Sequence, residues 1–158
     1  MVDDEINLSQ LVKLSLEQYG VYEVKTECLG ERALEAARSF RPHLLLLDVC
    51  LLDTDGGRVA SEILSDAELK HTPIVFITSL VSPQETQNGP VWNSGVPVLS
   101  KPFDSVKLIA CIKRTLAGRS GGVTGPVLDK RVSDTRMIKK NLVQRIRALD
   151  SALTGSSN

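Results

Sequence analysis

The chain has 158 residues, enough for one domain with an ordinary core and an appendage. Apolar residues make up 42% and charged residues 24%, which excludes an intrinsically disordered chain. The formal charge is zero, so no global field points to a nucleic acid or an acidic membrane.

An acidic triplet, Asp3-Asp4-Glu5, stands near the start, where a signal peptide would be basic. From Asn7 to Tyr19, apolar residues recur at helical spacing, with Asn7 or Ser9 placed to cap and Gly20 to stop, so a helix is predicted. Val21, Tyr22 and Val24 read as a short strand, and Glu31 to Phe40 as a second helix closed by Pro42. The run Leu44-Leu45-Leu46-Leu47-Asp48-Val49 reads as a central parallel strand covered on both faces and ending in a carboxylate. A Gly-containing loop, Asp53 to Gly57, then leads into a helix through Arg58 to Leu64.

Pro73 opens a second buried strand, Ile74 to Ile77, ending in Thr78-Ser79. Ser82 to Gly95 is polar and supports at most a short helix. Val96, Val98 and Leu99 form a last strand ending in Lys101-Pro102-Phe103, and Asp104 or Ser105 is placed to cap the next helix. Strands alternating with helices of this size predict a three-layer α/β sandwich. In open sheets of this kind the active site forms outside the carboxyl ends of the strands, where Asp48, Thr78 and Lys101 all fall.

Cys28, Cys50 and Cys111 form no CxxC and sit in apolar settings, which predicts buried thiols in a reducing compartment. No apolar stretch approaches the length of a membrane span, and a cytoplasmic protein is expected. His43 and His71 lie outside the acidic set and read as loop residues.

Over about residues 2 to 117 the sequence resembles the response-regulator receiver family. Asp3 and Asp4 match the acidic pair after the first strand, and Asp48 the phosphorylated aspartate after the third. Thr78 matches the hydroxyl residue after the fourth strand, Lys101-Pro102-Phe103 the lysine motif after the fifth, and Gly56 the glycine of the loop beyond Asp48. The resemblance implies a doubly wound sandwich with a five-stranded parallel sheet in the order 2-1-3-4-5. It also implies a phosphoryl group taken up by Asp48 from a histidine kinase or histidine phosphotransfer protein.

The residue types suit that chemistry. Carboxylates gathered at strand ends make a hard-oxygen site for Mg²⁺. Asp4, Asp48 and the backbone carbonyl of Cys50 are the expected ligands, with Asp3 acting through water. Lys101 would hold a phosphoryl oxygen as a point charge, and Thr78 would hydrogen-bond another. Self-phosphorylation from a phosphodonor and autodephosphorylation are the only enzymatic steps expected.

The sequence departs from the family pattern at several points. Only Met1 and Val2 precede the acidic pair, so the first strand is truncated, stunted or replaced, with Val123 to Leu128 a speculative substitute. Leu51-Leu52 replaces Met-Pro after the phospho-acceptor. Val98 stands where an aromatic switch residue is expected, and a valine cannot swing between buried and exposed positions as a ring does. Cys50, two residues beyond Asp48, predicts altered and slow loss of the phosphoryl group.

Residues 118–126 read as a glycine-rich linker. Residues 127–158 read as a basic amphipathic helix with seven Lys or Arg against three Asp, a net of +4. Its stripe of Ile138, Leu142, Ile146, Leu149 and Leu153 cannot be buried by one helix alone, so it predicts packing on its own receiver, pairing with a second copy, or docking on a partner, with partner or second-copy contact favoured. The sequence therefore presents a signal-relay receiver. The rival reading is a receiver-like adaptor or dimerisation module that works without phosphorylation.

Overall fold

The computed structural model describes residues 1–82, 84, 91–93 (backbone only) and 96–118; the linker and basic tail predicted from the sequence lie outside the described residues. Three parallel strands form the centre of the sheet: β1 (Leu45–Asp48), β2 (Ile74–Thr78) and β4 (Val96–Ser100). A short β3 (Val91–Asn93) runs antiparallel to β4 at the edge, giving the order β1-β2-β4-β3.

The unbroken apolar runs follow from burial on both faces. Leu45 and Leu47 of β1, with Ile74 and Phe76 of β2, turn toward α2 (Ala33–Phe40) and α3 (Gly56–Ser65). Leu46, Val75, Ile77 and Leu99 turn the other way, against Val12 and Leu16 of α1 (Ile6–Glu17) and Leu108 and Ile112 of α4 (Ser105–Ala117). The result is the three-layer sandwich expected from the sequence.

The first strand is reduced to one residue. Val2 N–H donates to Leu46 O at 2.8 Å, and Asp48 N–H donates to Val2 O at 2.9 Å. On the other side Asp3 N–H donates to Glu27 O at 3.1 Å and Glu27 N–H to Met1 O at 2.9 Å. Val2 thus bridges Leu47 and Glu27 in parallel, keeping the order Glu27, Val2, β1, β2, β4 with single bridges where two strands were expected. This corrects the strand predicted at Val21, Tyr22 and Val24. Met1 reaches Lys25 O and Val2 bridges Glu27, but among the described residues that stretch forms no ladder before Glu27, and Val21 is left exposed.

N–H groups along a buried parallel strand alternate between its two neighbours. Leu45 and Val49 donate toward β2, to Pro73 O and Ile77 O, so the N–H of Leu46 faces the side where the Val2 ladder stops. A cavity of about 710 Å³ lies there, lined among others by Leu16, Tyr22, Val24, Leu44, Leu46 and Leu116.

Element boundaries differ in ways that have local causes. Neither Asn7 nor Ser9 caps α1, which starts after Glu5, and Gly20 ends that region at φ +68° as expected for a glycine stop. The second predicted helix opens with a 3₁₀ turn, Gly30–Arg32. Its first two N–H groups are held by the Asp53 carboxylate, both at 3.0 Å. In the Ser82–Gly95 segment, read as at most a short helix, residues 91–93 are strand. The thiols need correction as well: Cys111 is buried, but Cys28 and Cys50 are exposed in loops, and none of the three is in a disulfide.

Gly56 opens α3 directly beneath the end of β1, and its N–H donates to Val49 O at 3.0 Å. A Cβ there would stand 2.0 Å from Asp48 O and 2.9 Å from Val49 Cα, both backbone atoms that cannot rotate away. Gly56→Ala is therefore expected to cost about 1–3 kcal/mol through overpacking. Urea denaturation measures it, and an unchanged midpoint would mean that the Asp48 loop yields freely.

Candidate functional site

Each acidic or basic side chain of the site is delivered by a strand end. The Val2 bridge sets Asp3 and Asp4 beside the end of β1, where Asp48 is the last residue. Thr78 closes β2, and Lys101 follows β4, its N–H donating to Thr78 O at 2.8 Å. Carboxylate oxygens of Asp3, Asp4 and Asp48 lie within 4.8 Å of one another.

Lys101 Nζ sits inside this group, 2.6 Å from Asp48 Oδ2, 2.8 Å from Asp3 Oδ2 and 2.9 Å from Glu5 Oε1. The Asp48 and Glu5 contacts are hydrogen bonds. The Asp3 contact is close but out of line for one, so buried Asp3 Oδ2 has charge pairing and no directed donor. Asp3 Oδ1 accepts from Glu5 N–H at 3.0 Å, and Asp48 Oδ1 from Cys50 N–H at 3.0 Å.

The electrostatics follow from burial and charge. Burial pulls the Lys101 ammonium toward losing its proton, but the carboxylates of Asp3, Asp48 and Glu5 outweigh it and hold its pKa above the ordinary lysine value. Burial pushes the Asp3 carboxyl up, with the Asp48 charge adding to it, against the opposing pull of Lys101 and the Glu5 N–H. A buried carboxylate oxygen without a hydrogen-bond donor, next to two further carboxylates, is a donor set that fits a hard divalent cation such as Mg²⁺.

Thr78 is fully buried, and its Oγ1 accepts from Leu80 N–H at 3.1 Å. Val98 is buried in β4, paired with Phe76 of β2 and Val91 of β3. Cys50 lies in the loop beyond Asp48, bridged to Asp55, which caps α3 by accepting from Gly57 N–H at 2.8 Å. The stripe from Ile138 to Leu153 lies outside the described residues.

The structure adds one residue that the sequence reading left out: Glu5, third of the acidic triplet, which reaches Lys101 across 96 positions. Its neighbours in sequence carried no signal for that pairing.

The family model for the response regulator receiver domain matches residues 1–113. The chain belongs to the response regulator receiver family. This receiver is 30% identical to the polar-differentiation response regulator DivK of Brucella anthropi, over 72% of this chain and 90% of that protein. It is 35% identical to the response regulator PleD of Caulobacter vibrioides over 72% of this chain. It is 26% identical to the response regulator Rre1 of Synechocystis over 91% of this chain. The chain spans 64% of Rre1 and 24% of PleD. Among solved structures, the chemotaxis regulator CheY4 of Vibrio cholerae superposes with a TM-score of 0.60 at 29% identity, covering 72% of this chain and 93% of that one. Among the described residues of the receiver, no helix is long and apolar enough to cross a membrane.

Removing the ammonium exposes the repulsion it offsets. Lys101→Met leaves Asp3 and Asp48 buried without a counter-charge and is expected to cost about 3 kcal/mol at neutral pH. Asp3 already titrates above its unfolded value, so its charged form opposes folding, and that cost fades as pH falls through the folded pKa. The deficit of Lys101→Met relative to wild type should therefore shrink between pH 7 and pH 4, read by urea denaturation at each pH without divalent cations. A deficit that stays constant over this range would refute the account.

Proposed function

We propose that this receiver accepts a phosphoryl group on Asp48 from a histidine kinase or a histidine phosphotransfer protein and passes the signal on through protein contacts in the cytoplasm of a bacterium. The observation that carries the reading is Asp48 itself. It is a nearly buried carboxylate held at 2.6 Å by Lys101, with two further carboxylates beside it.

In the transfer, an Asp48 carboxylate oxygen attacks phosphorus, the bond to the donor nitrogen breaks, and an acyl phosphate remains. Asp3, Asp4 and Asp48, with the carbonyl of Cys50, would hold Mg²⁺. The ion would neutralise the like charges that otherwise repel a phosphodonor. Lys101 remains charged throughout and offers its ammonium to a phosphoryl oxygen. Thr78 offers its hydroxyl to another, which requires giving up the Leu80 N–H contact.

Relay from there is assigned to the receiver surface and to the basic tail, with Ile138, Leu142, Ile146, Leu149 and Leu153 as the contact stripe toward a partner or a second copy. A phosphorylation-independent adaptor is the second reading. It is favoured by the reduction of the first strand to Val2 and by buried Val98 in place of a movable ring.

The test is incubation with Mg²⁺ and acetyl phosphate beside an Asp48→Ala control, with intact mass followed over time. The expected result is a labile gain of one phosphoryl group, absent from the control and abolished by EDTA. No gain from acetyl phosphate or from a cognate kinase would leave the adaptor as the better account.

A further inference from the structure

Glu5 holds an unusual post for an exposed acidic residue. It precedes α1 in the N-cap position, where a carboxylate ordinarily accepts from the first helical N–H groups. Its side chain makes no such bond and instead spans to Lys101 Nζ at 2.9 Å. Glu5 side-chain exposure is 60%, against 7% for Lys101 and 0% for Asp3.

An ammonium has three N–H donors and no acceptor. Three carboxylate oxygens crowd Lys101 Nζ at 2.6 to 2.9 Å, those of Asp48 and Glu5 hydrogen-bonded and that of Asp3 ion-paired, so an incoming phosphoryl oxygen must displace one of them. Asp3 is buried, and its other oxygen is tied to the Glu5 N–H. Asp48 is the acceptor of the group itself. Glu5 alone can move into water at little desolvation cost, because most of its side chain is already there.

We propose that Glu5 is an internal competitor for the phosphoryl-binding position on Lys101, a positioning residue that sets how readily this receiver takes up a phosphodonor. The assignment rests on the phospho-acceptor reading above and goes beyond it. In the absence of a donor, Glu5 occupies the ammonium; on arrival of the phosphoryl group, it swings out and the oxygen takes its place. A built-in anion of this kind weakens capture of small donors.

The experiment is the dependence of the phosphorylation rate on acetyl phosphate concentration at saturating Mg²⁺, for wild type, Glu5→Gln and Glu5→Asp, with Asp48→Ala as blank. Glu5→Gln removes the charge. Glu5→Asp keeps the charge at the start of α1 but is one methylene shorter and falls short of Lys101. Both variants should lower the half-saturating acetyl phosphate concentration, Glu5→Gln by about threefold to tenfold, the scale of a partly exposed charged hydrogen bond. The limiting rate should stay within about twofold. Thermal midpoints without donor confirm that each variant is folded.

Unchanged half-saturation in folded Glu5→Gln would overturn the assignment while leaving the phospho-acceptor reading intact. An effect in Glu5→Gln with none in Glu5→Asp would overturn it as well, since field and not contact would then be responsible. If wild type takes up no phosphoryl group, the phospho-acceptor reading falls and the role of Glu5 falls with it.

Discussion

Three carboxylates converge where the strands end, and the ammonium of Lys101 makes their burial tolerable. Asp3 is fully buried and Asp48 nearly so, and like charges at such spacing repel strongly when water is scarce. Lys101 answers with contacts of 2.6 to 2.9 Å to both and to Glu5. That arrangement also ties the end of β4 to the start of the chain, since the acid pair follows Val2 directly. The same acidic cluster that opposes stability is a donor set that fits a divalent cation. Site and fold therefore share one electrostatic constraint.

The reduction of the first strand tests how much ladder the site requires. Two backbone bonds between Val2 and β1, and two more across to Met1, Asp3 and Glu27, suffice to set Asp3 beside Asp48. Below that point the ladder stops at a cavity of about 710 Å³, lined by apolar residues together with Glu23, Lys25, Arg41 and His43. The upper half of the sheet, where the chemistry lies, is complete among the described residues, while the lower half carries the deficit.

The sequence showed most of the fold because burial leaves a pattern. The runs Leu44–Leu47 and Ile74–Ile77 are apolar at every position, as strands covered on both faces must be, and both are strands within one or two residues of the expectation. The strand ends then supplied Asp48, Thr78 and Lys101 by position alone. What stayed hidden depended on partners distant in sequence. Val21, Tyr22 and Val24 have strand-forming side chains, but a strand needs a neighbour, and the neighbour ends at Val2. The antiparallel β3 lies in a polar stretch whose pairing with β4 no periodicity announces. Glu5 was visible only as one acid among three, because its partner is a lysine 96 positions away.

How a change at Asp48 would leave the site follows from the packing around Thr78. The Thr78 hydroxyl is engaged by Leu80 N–H, so drawing it toward a phosphoryl oxygen frees the start of the loop after β2. Leu80 packs against the cluster that contains Val81, Phe76, Val96 and Val98, on the face covered by α2 and α3. In many switches a buried ring would carry the motion onward by trading places with solvent. Val98, buried and held in β4 between Phe76 and Val91, has neither the size nor the freedom for that. Cores of this density transmit displacement by contact instead of absorbing it. On the proposed phospho-acceptor reading, the route out of the site would run through the backbone at Leu80 and Val81 into that cluster.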